Sequence, residues 1–204
     1  MVCKSFSTSN VPKNVIIAMH GWTGDVNSMA PIANTLDLND TTWLLPQAPY
    51  KTKIKGFSWY LEKTNSEWDC TLSIDLLNSL ISKIEGDGFK KNSIFLLGFS
   101  QGACLAIDYM KRQSFALGGI IPVAGFIRDK KNFTTNISQK SLRTPVLLIH
   151  GKKDMVVEPK QSYIAEEILS DCGYDVDLHL FAGKHKFPMS SKNVVKNFIT
   201  GAKK

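Results

Sequence analysis

The chain has 204 residues, of which 43% are hydrophobic, 21% charged and 10% aromatic, enough for one well-buried globular domain and short for two. No apolar run approaches a membrane span, and the start MVCKSFSTSN lacks the basic-then-apolar layout of a signal peptide, which predicts a cytoplasmic protein without integral membrane contact. The net charge of +7 is spread along the chain with no aromatic-interleaved basic motif, so no nucleic-acid partner is expected.

Residues 1–13 are polar, with room for one short edge strand. Residues 15–19 are a continuous apolar run, a buried strand, and it ends in His20-Gly21-Trp22-Thr23-Gly24-Asp25. Such a glycine-rich loop can turn a backbone N–H inward, which makes the Trp22 N–H a candidate oxyanion donor. Met29, Ile32, Ala33 and Leu36 follow helical spacing. Residues 42–45 read as a strand closed by Pro46-Gln47-Ala48-Pro49, and residues 50–65 as a long loop carrying Phe57, Trp59 and Tyr60. Loops of that length in compact domains are usually functional. Ser66 with Asp69 resembles a capping box, opening a helix with Leu72, Leu76, Leu77, Leu80, Ile81 and Ile84 as its core stripe.

Residues 93–97 form another buried strand and residues 101–110 a helix that begins with small residues. Between them lies Gly98-Phe99-Ser100-Gln101-Gly102, a GxSxG pattern in the strand-to-helix setting of a nucleophile elbow. The glycines leave room for a very tight turn, and the free N–H groups of the helix start, Gln101 first, point to where a tetrahedral oxyanion would form. Residues 117–124 and 145–149 are two more buried strands, the second ending in His150-Gly151-Lys152-Lys153-Asp154. Pro159 fits the first turn of a helix with a face of Ile164, Ala165, Ile168 and Leu169. Val176, Leu178 and Leu180 alternate with polar residues, marking a strand near the sheet edge; the Gly183–His185 loop and an amphipathic helix containing Val194, Val195, Phe198 and Ile199 follow.

Strands alternating with helices predict a single α/β domain over residues 1–204 around a mainly parallel sheet, with ligands beyond the C-terminal strand ends. Trp22, Ser100, Asp154 and His185 should share that edge. A serine needs an imidazole base oriented by a carboxylate. His20 and His150 end strands before glycine, where a histidine usually satisfies loop backbone, and His179 sits on an alternating strand. His185, in a loop past the last strand, is the favoured base. Asp154 is the favoured acid, with Asp129 or Glu158 as fallbacks, and Ser100, Asp154, His185 is the chain order of an α/β-hydrolase triad. Acyl transfer through such a triad requires no metal and no cofactor. Cys3, Cys70, Cys104 and Cys172 are scattered without a CxxC pair and read as reduced thiols.

These residues resemble the phospholipase/carboxylesterase family of α/β-hydrolases, which contains acyl-protein thioesterases and bacterial carboxylesterases. The matching pieces are HGWTGD at 20–25, PQAP at 46–49, WY at 59–60, GFSQG at 98–102, GKKDMVVEP at 151–159 and the loop at 183–185. The resemblance implies a serine hydrolase of carboxylic esters or thioesters, with Ser100, Asp154 and His185 as catalytic residues and the Trp22 and Gln101 backbones as the oxyanion hole. Relative to the family pattern the N-terminal strands are shortened, Trp22 replaces a smaller aliphatic residue, and Lys184 replaces a small one. Small members often pair through surface strands or loops, but no homodimer surface is legible here.

Trp22, Trp59, Phe126, Met155, Val156 and Phe187 are expected at the catalytic edge, some of them forming an apolar acyl groove. Lys51, Lys53, Lys55, Lys152, Lys153, Lys184 and Lys186 cluster near the same mouth and should favour anionic substrates or peripheral contact with an anionic surface. A relative using Cys at the elbow is contradicted by Ser100. A small peptidase of this fold and a catalytically silent binding module are the remaining alternatives.

Overall fold

A computed structural model of the chain describes residues 2–64 and 67–201. The N-terminal half runs β1 (Cys3–Ser7), β2 (Asn14–Met19), α1 (Ala30–Leu36), β3 (Thr41–Pro46), β4 (Tyr50–Lys51), β5 (Phe57–Ser58), β6 (Leu61–Glu62), β7 (Trp68–Asp69) and α2 (Thr71–Gly86). After it come β8 (Ile94–Phe99), α3 (Gln101–Arg112), β9 (Gly119–Val123), β10 (Val146–Gly151), α4 (Lys160–Asp171), β11 (Val176–Phe181) and α5 (Lys192–Thr200).

Seven strands make one sheet in the order β1-β3-β2-β8-β9-β10-β11, and only the β1–β3 pair is antiparallel. The inner strands are covered on both faces, which is why they read as unbroken apolar runs. In β2 the two-residue period splits the side chains: Val15, Ile17 and Met19 join the core under α2, α3 and α4, while Ile16 and Ala18 join the one under α1 and α5. The edge strand β11 is half-buried along most of its length, and its burial alternates only from Val176 to Leu178. Because the strands are parallel, the turns after β2, β8, β9, β10 and β11 emerge along one edge, and every candidate catalytic residue lies on those turns.

Three expectations are corrected. Residues 50–64 are not plain loop: β4 pairs antiparallel with β5, and β6 with β7. The capping box rested on Ser66, which lies outside the described residues; α2 starts at Thr71 after Cys70, whose side chain makes no capping bond, and its first N–H groups go instead to Asp69, which accepts from the Thr71 N–H and hydroxyl, and to the Tyr50 hydroxyl, which accepts from Leu72. Leu72 is exposed, so the buried stripe of α2 runs through Ser73, Leu77, Leu80, Ile81 and Ile84. Ser73 belongs there because its hydroxyl donates to the Trp59 carbonyl at 2.7 Å. No helix among the described residues is long and apolar enough to cross a membrane.

Candidate active site

Ser100 sits between β8 and α3 at φ +53°, ψ −113°, a backbone conformation that a side chain rarely tolerates. The turn is as tight as the glycines implied. A Cβ on Gly98 would overlap the Gly102 carbonyl, and one on Gly102 would lie 2.7 Å from the His20 carbonyl oxygen. The Ser100 N–H is fixed to the Val123 carbonyl at 2.8 Å, and its own carbonyl accepts from the Ala103 and Cys104 N–H groups. Its hydroxyl makes no hydrogen bond among the described residues, so the contact to a base is not closed here; such contacts often tighten only with substrate.

The residue-20 loop lies against this serine: a Cβ on Gly21 would come 3.5 Å from the Ser100 Cβ. Its shape is held from both sides, by Thr23 N–H to Phe57 O at 3.0 Å and Phe57 N–H to Gly24 O at 2.9 Å. Neither the Trp22 N–H nor the Gln101 N–H meets an acceptor among the described residues, so both donors remain open.

On the other side of the edge, Asp154 is buried after β10. Its Oδ1 accepts the Val156 and Val157 N–H groups at 2.8 and 2.9 Å, and its Oδ2 lies 2.7 Å from His185 Nδ1. Burial pushes the Asp154 pKa up, but the Val157 N–H, His185 and the Val156 N–H more than offset this and hold the carboxyl below its ordinary value. A carboxylate accepts only, so His185 Nδ1 carries a proton, and in the neutral ring Nε2 holds the lone pair. The imidazole packs against Phe99, the neighbour of Ser100, with ring centres 5.0 Å apart.

The other histidines have structural partners. His20 is fully buried; Nδ1 donates to the Gly21 carbonyl and Nε2 accepts the Ala48 N–H. His150 bonds Ser162 through Nδ1 and the Val157 carbonyl through Nε2. It does more than satisfy loop backbone, because Nε2 is also 3.3 Å from Asp154 Oδ2. The i, i+4 spacing of His150 and Asp154 was the available signal. Of the fallback acids, Asp129 is turned onto Asn132, and neither it nor Glu158 contacts His185.

The expected groove is only partly assembled. Trp59 is a correction: it is completely buried, and its indole N–H donates to the His20 carbonyl at 2.7 Å, so it is core and not substrate wall. Gln101 adds a role that sequence reasoning missed, its side-chain carbonyl accepting the Trp59 N–H at 2.9 Å. Met155 is 91% exposed. Trp22, Phe99 and Phe187 line a depression of about 320 Å³, while Phe126 and Val156 line a separate one of about 580 Å³. The seven lysines expected near the mouth are all exposed.

The family model described as Phospholipase/Carboxylesterase matches residues 6–202. Acyl-protein thioesterase 1 of Neurospora crassa is 23% identical over 202 residues, covering 89% of this chain and 80% of that protein. A rice protein named "Probable inactive carboxylesterase" is also 23% identical, over 86% of this chain and 79% of its own length. In fold, the crystal structure of Zea mays acyl-protein thioesterase 2 superposes with a TM-score of 0.80 at 20% identity, covering 98% of both chains. The mainly parallel sheet, the strand-to-helix serine turn and the match over nearly its full length mean that this chain belongs to the phospholipase/carboxylesterase family of α/β-hydrolases.

Proposed function

We propose that the protein hydrolyses carboxylic esters or thioesters of small-molecule substrates through an acyl-enzyme on Ser100. The observation that carries this reading is the 2.7 Å contact between His185 Nδ1 and Asp154 Oδ2, made beside a serine held in a strained turn. His185 Nε2 takes the Ser100 proton as Oγ attacks the carbonyl carbon, and the Trp22 and Gln101 N–H groups receive the oxyanion. His185 then passes the proton to the departing alcohol or thiol. Water, deprotonated by the same nitrogen, attacks the acyl-enzyme, and the carboxylic acid leaves as the serine regains its proton. Hydrolysis of 4-nitrophenyl esters from acetate to laurate, by wild type and by a folded Ser100→Ala variant, tests the proposal. Activity in the first and none in the second is expected; equal activity in both would remove Ser100 from the mechanism.

A second reading, a catalytically silent binding module, is favoured by one feature: the Ser100 hydroxyl is not hydrogen-bonded to His185. No turnover, and no burst of 4-nitrophenol, from folded wild type across the series would support it.

A further inference from the structure

Arg128 follows β9 and belongs to none of the catalytic parts described so far, though it lines the depression that holds Phe126 and Val156. Its guanidinium carbon lies 4.4 Å from the centre of the Tyr60 ring and 4.6 Å from that of Trp68, with Phe126 5.9 Å away. No acceptor among the described residues takes any of its N–H groups. An arginine stacked on two aromatic faces has already lost most of its rotamer freedom, so its planar fork is preorganised while its donors stay open.

A cleft of about 600 Å³ opens at this guanidinium, lined also by Asp108, Lys111 and Arg112. Lys111 Nζ is engaged by the Asn132 carbonyl at 2.6 Å, while Arg112 meets no acceptor among the described residues. Asp108 does not neutralise the cations by contact: it makes no ion pair with any of them among the described residues, and its Oδ2 accepts the Tyr60 hydroxyl at 2.7 Å. Glu67 and Asp129 also line the cleft, and Asp129 is turned onto Asn132.

Arg128 ties the cleft to the catalytic edge, because it also lines the depression of about 580 Å³ that holds Phe126 and Val156, and the Val156 N–H bonds Asp154. Ser100 is bonded to Val123, the last residue of β9, and Phe126 just beyond it packs toward Arg128. The Gln101 side chain holds Trp59, whose neighbour Tyr60 is one of the two stacking faces. On α3, Asp108 stands two turns after Ser100, about 12 Å along the axis at 1.5 Å per residue.

We infer that this cleft binds a carboxylate or phosphate group carried by the substrate roughly two helical turns from the scissile carbonyl, and that Arg128 is the residue that reads it. The inference deepens the hydrolase reading and rests on it. It moves the source of anion selectivity away from the mouth lysines, which are exposed, hydrated and readily screened by salt, to one half-buried guanidinium oriented by two aromatic rings.

The test measures binding, so that it does not depend on turnover. Ser100→Ala protein is titrated calorimetrically with the monomethyl esters of suberate, sebacate and dodecanedioate, and with the matching uncharged dimethyl esters. The best monoester should bind at least about tenfold more tightly than its diester, as a charge-assisted bidentate contact allows. Adding Arg128→Gln should bring that ratio near one, and Arg128→Lys should keep only a small part of it because the stacked fork is lost. If Arg128→Gln does not fold, Arg128→Lys carries the comparison. Competition by inorganic phosphate would show that phosphate shares the site, and no competition would restrict it to carboxylates. Equal binding of monoester and diester, or a preference that survives both Arg128 variants, would overturn the inference. Wild type that binds the monoester preferentially but hydrolyses none of the esters would instead sink the hydrolase reading alone.

Discussion

His185 Nδ1 and Asp154 Oδ2 lie 2.7 Å apart at a carboxylate whose other oxygen is already occupied by the Val156 and Val157 N–H groups. That division of labour determines what an Asp154→Asn variant would do. The amide oxygen would keep the two backbone donors, and the amide NH₂ would face His185 Nδ1. Nδ1 would then have to accept, putting the ring proton on Nε2 and leaving no lone pair for the Ser100 proton. A loss of roughly 10⁴ in kcat with the fold intact is expected. Steady-state kinetics with circular dichroism as the folding control measures it, and a loss smaller than about tenfold would mean that Asp154 does not set the tautomer.

The serine turn leaves no room for a side chain at Gly98, where a Cβ would collide with the backbone carbonyl of Gly102. Gly98→Ala must therefore shift the β8–α3 connection itself. A cost of about 3 kcal/mol or more is expected, together with lost esterase activity as the Gln101 N–H moves. Gly86→Ala is the control, because a Cβ there meets nothing within 4 Å at the end of α2. That change should be neutral or stabilising by up to about 1 kcal/mol. Urea unfolding of both variants decides, and equal midpoints would contradict the crowding argument.

What the sequence could show depended on whether a residue's meaning was local. β2, β8 and β10 were legible because a strand covered on both faces has to be continuously apolar, and the Ser100 turn because its two glycines stand at fixed spacing around the serine, although half of the crowding they relieve comes from the end of β2. β11 announced its edge position by alternating. Trp59 could not be placed this way: an aromatic residue in a long connection reads the same whether it faces a ligand or the core, and its partners, His20 and Gln101, lie on other elements. Arg128 was silent for the same reason. Its stacking partners come from the β3-to-α2 connection, and no spacing within residues 126–131 points to them.

The corrected role of Trp59 makes a prediction opposite to that of a groove residue. Trp59→Phe keeps an aromatic ring in the core but removes the donor to the carbonyl of His20, the residue that follows β2 at the start of the candidate oxyanion loop. Leaving that carbonyl buried without its partner costs about 1–3 kcal/mol. Thermal unfolding should register the loss, while the rank order of acyl chain lengths in the 4-nitrophenyl series stays the same. A shifted chain-length optimum with unchanged stability would return Trp59 to the substrate wall.

Asp108 links stability to pH in a direction unusual for a carboxylate. Burial raises its pKa above the ordinary value, even though the Tyr60 hydroxyl and the cations Arg112, Arg128 and Lys111 pull the other way. A carboxyl that holds its proton more readily in the folded chain than in the unfolded one stabilises the fold in acid. That contribution is full below the unfolded-state pKa and is lost as pH rises through the folded-state value. At neutral pH the ionised group is therefore a net cost. Asparagine at this position retains an oxygen for the Tyr60 hydroxyl and carries no charge. Asp108→Asn should melt a few degrees above wild type at pH 7, each kcal/mol moving Tm by about 2–4 °C in a domain of this size. The advantage should shrink as the pH falls through the carboxylate range. A variant that melts lower than wild type at pH 7, with the gap closing in acid, would show that the surrounding cations outweigh burial and that the carboxylate itself stabilises the cleft.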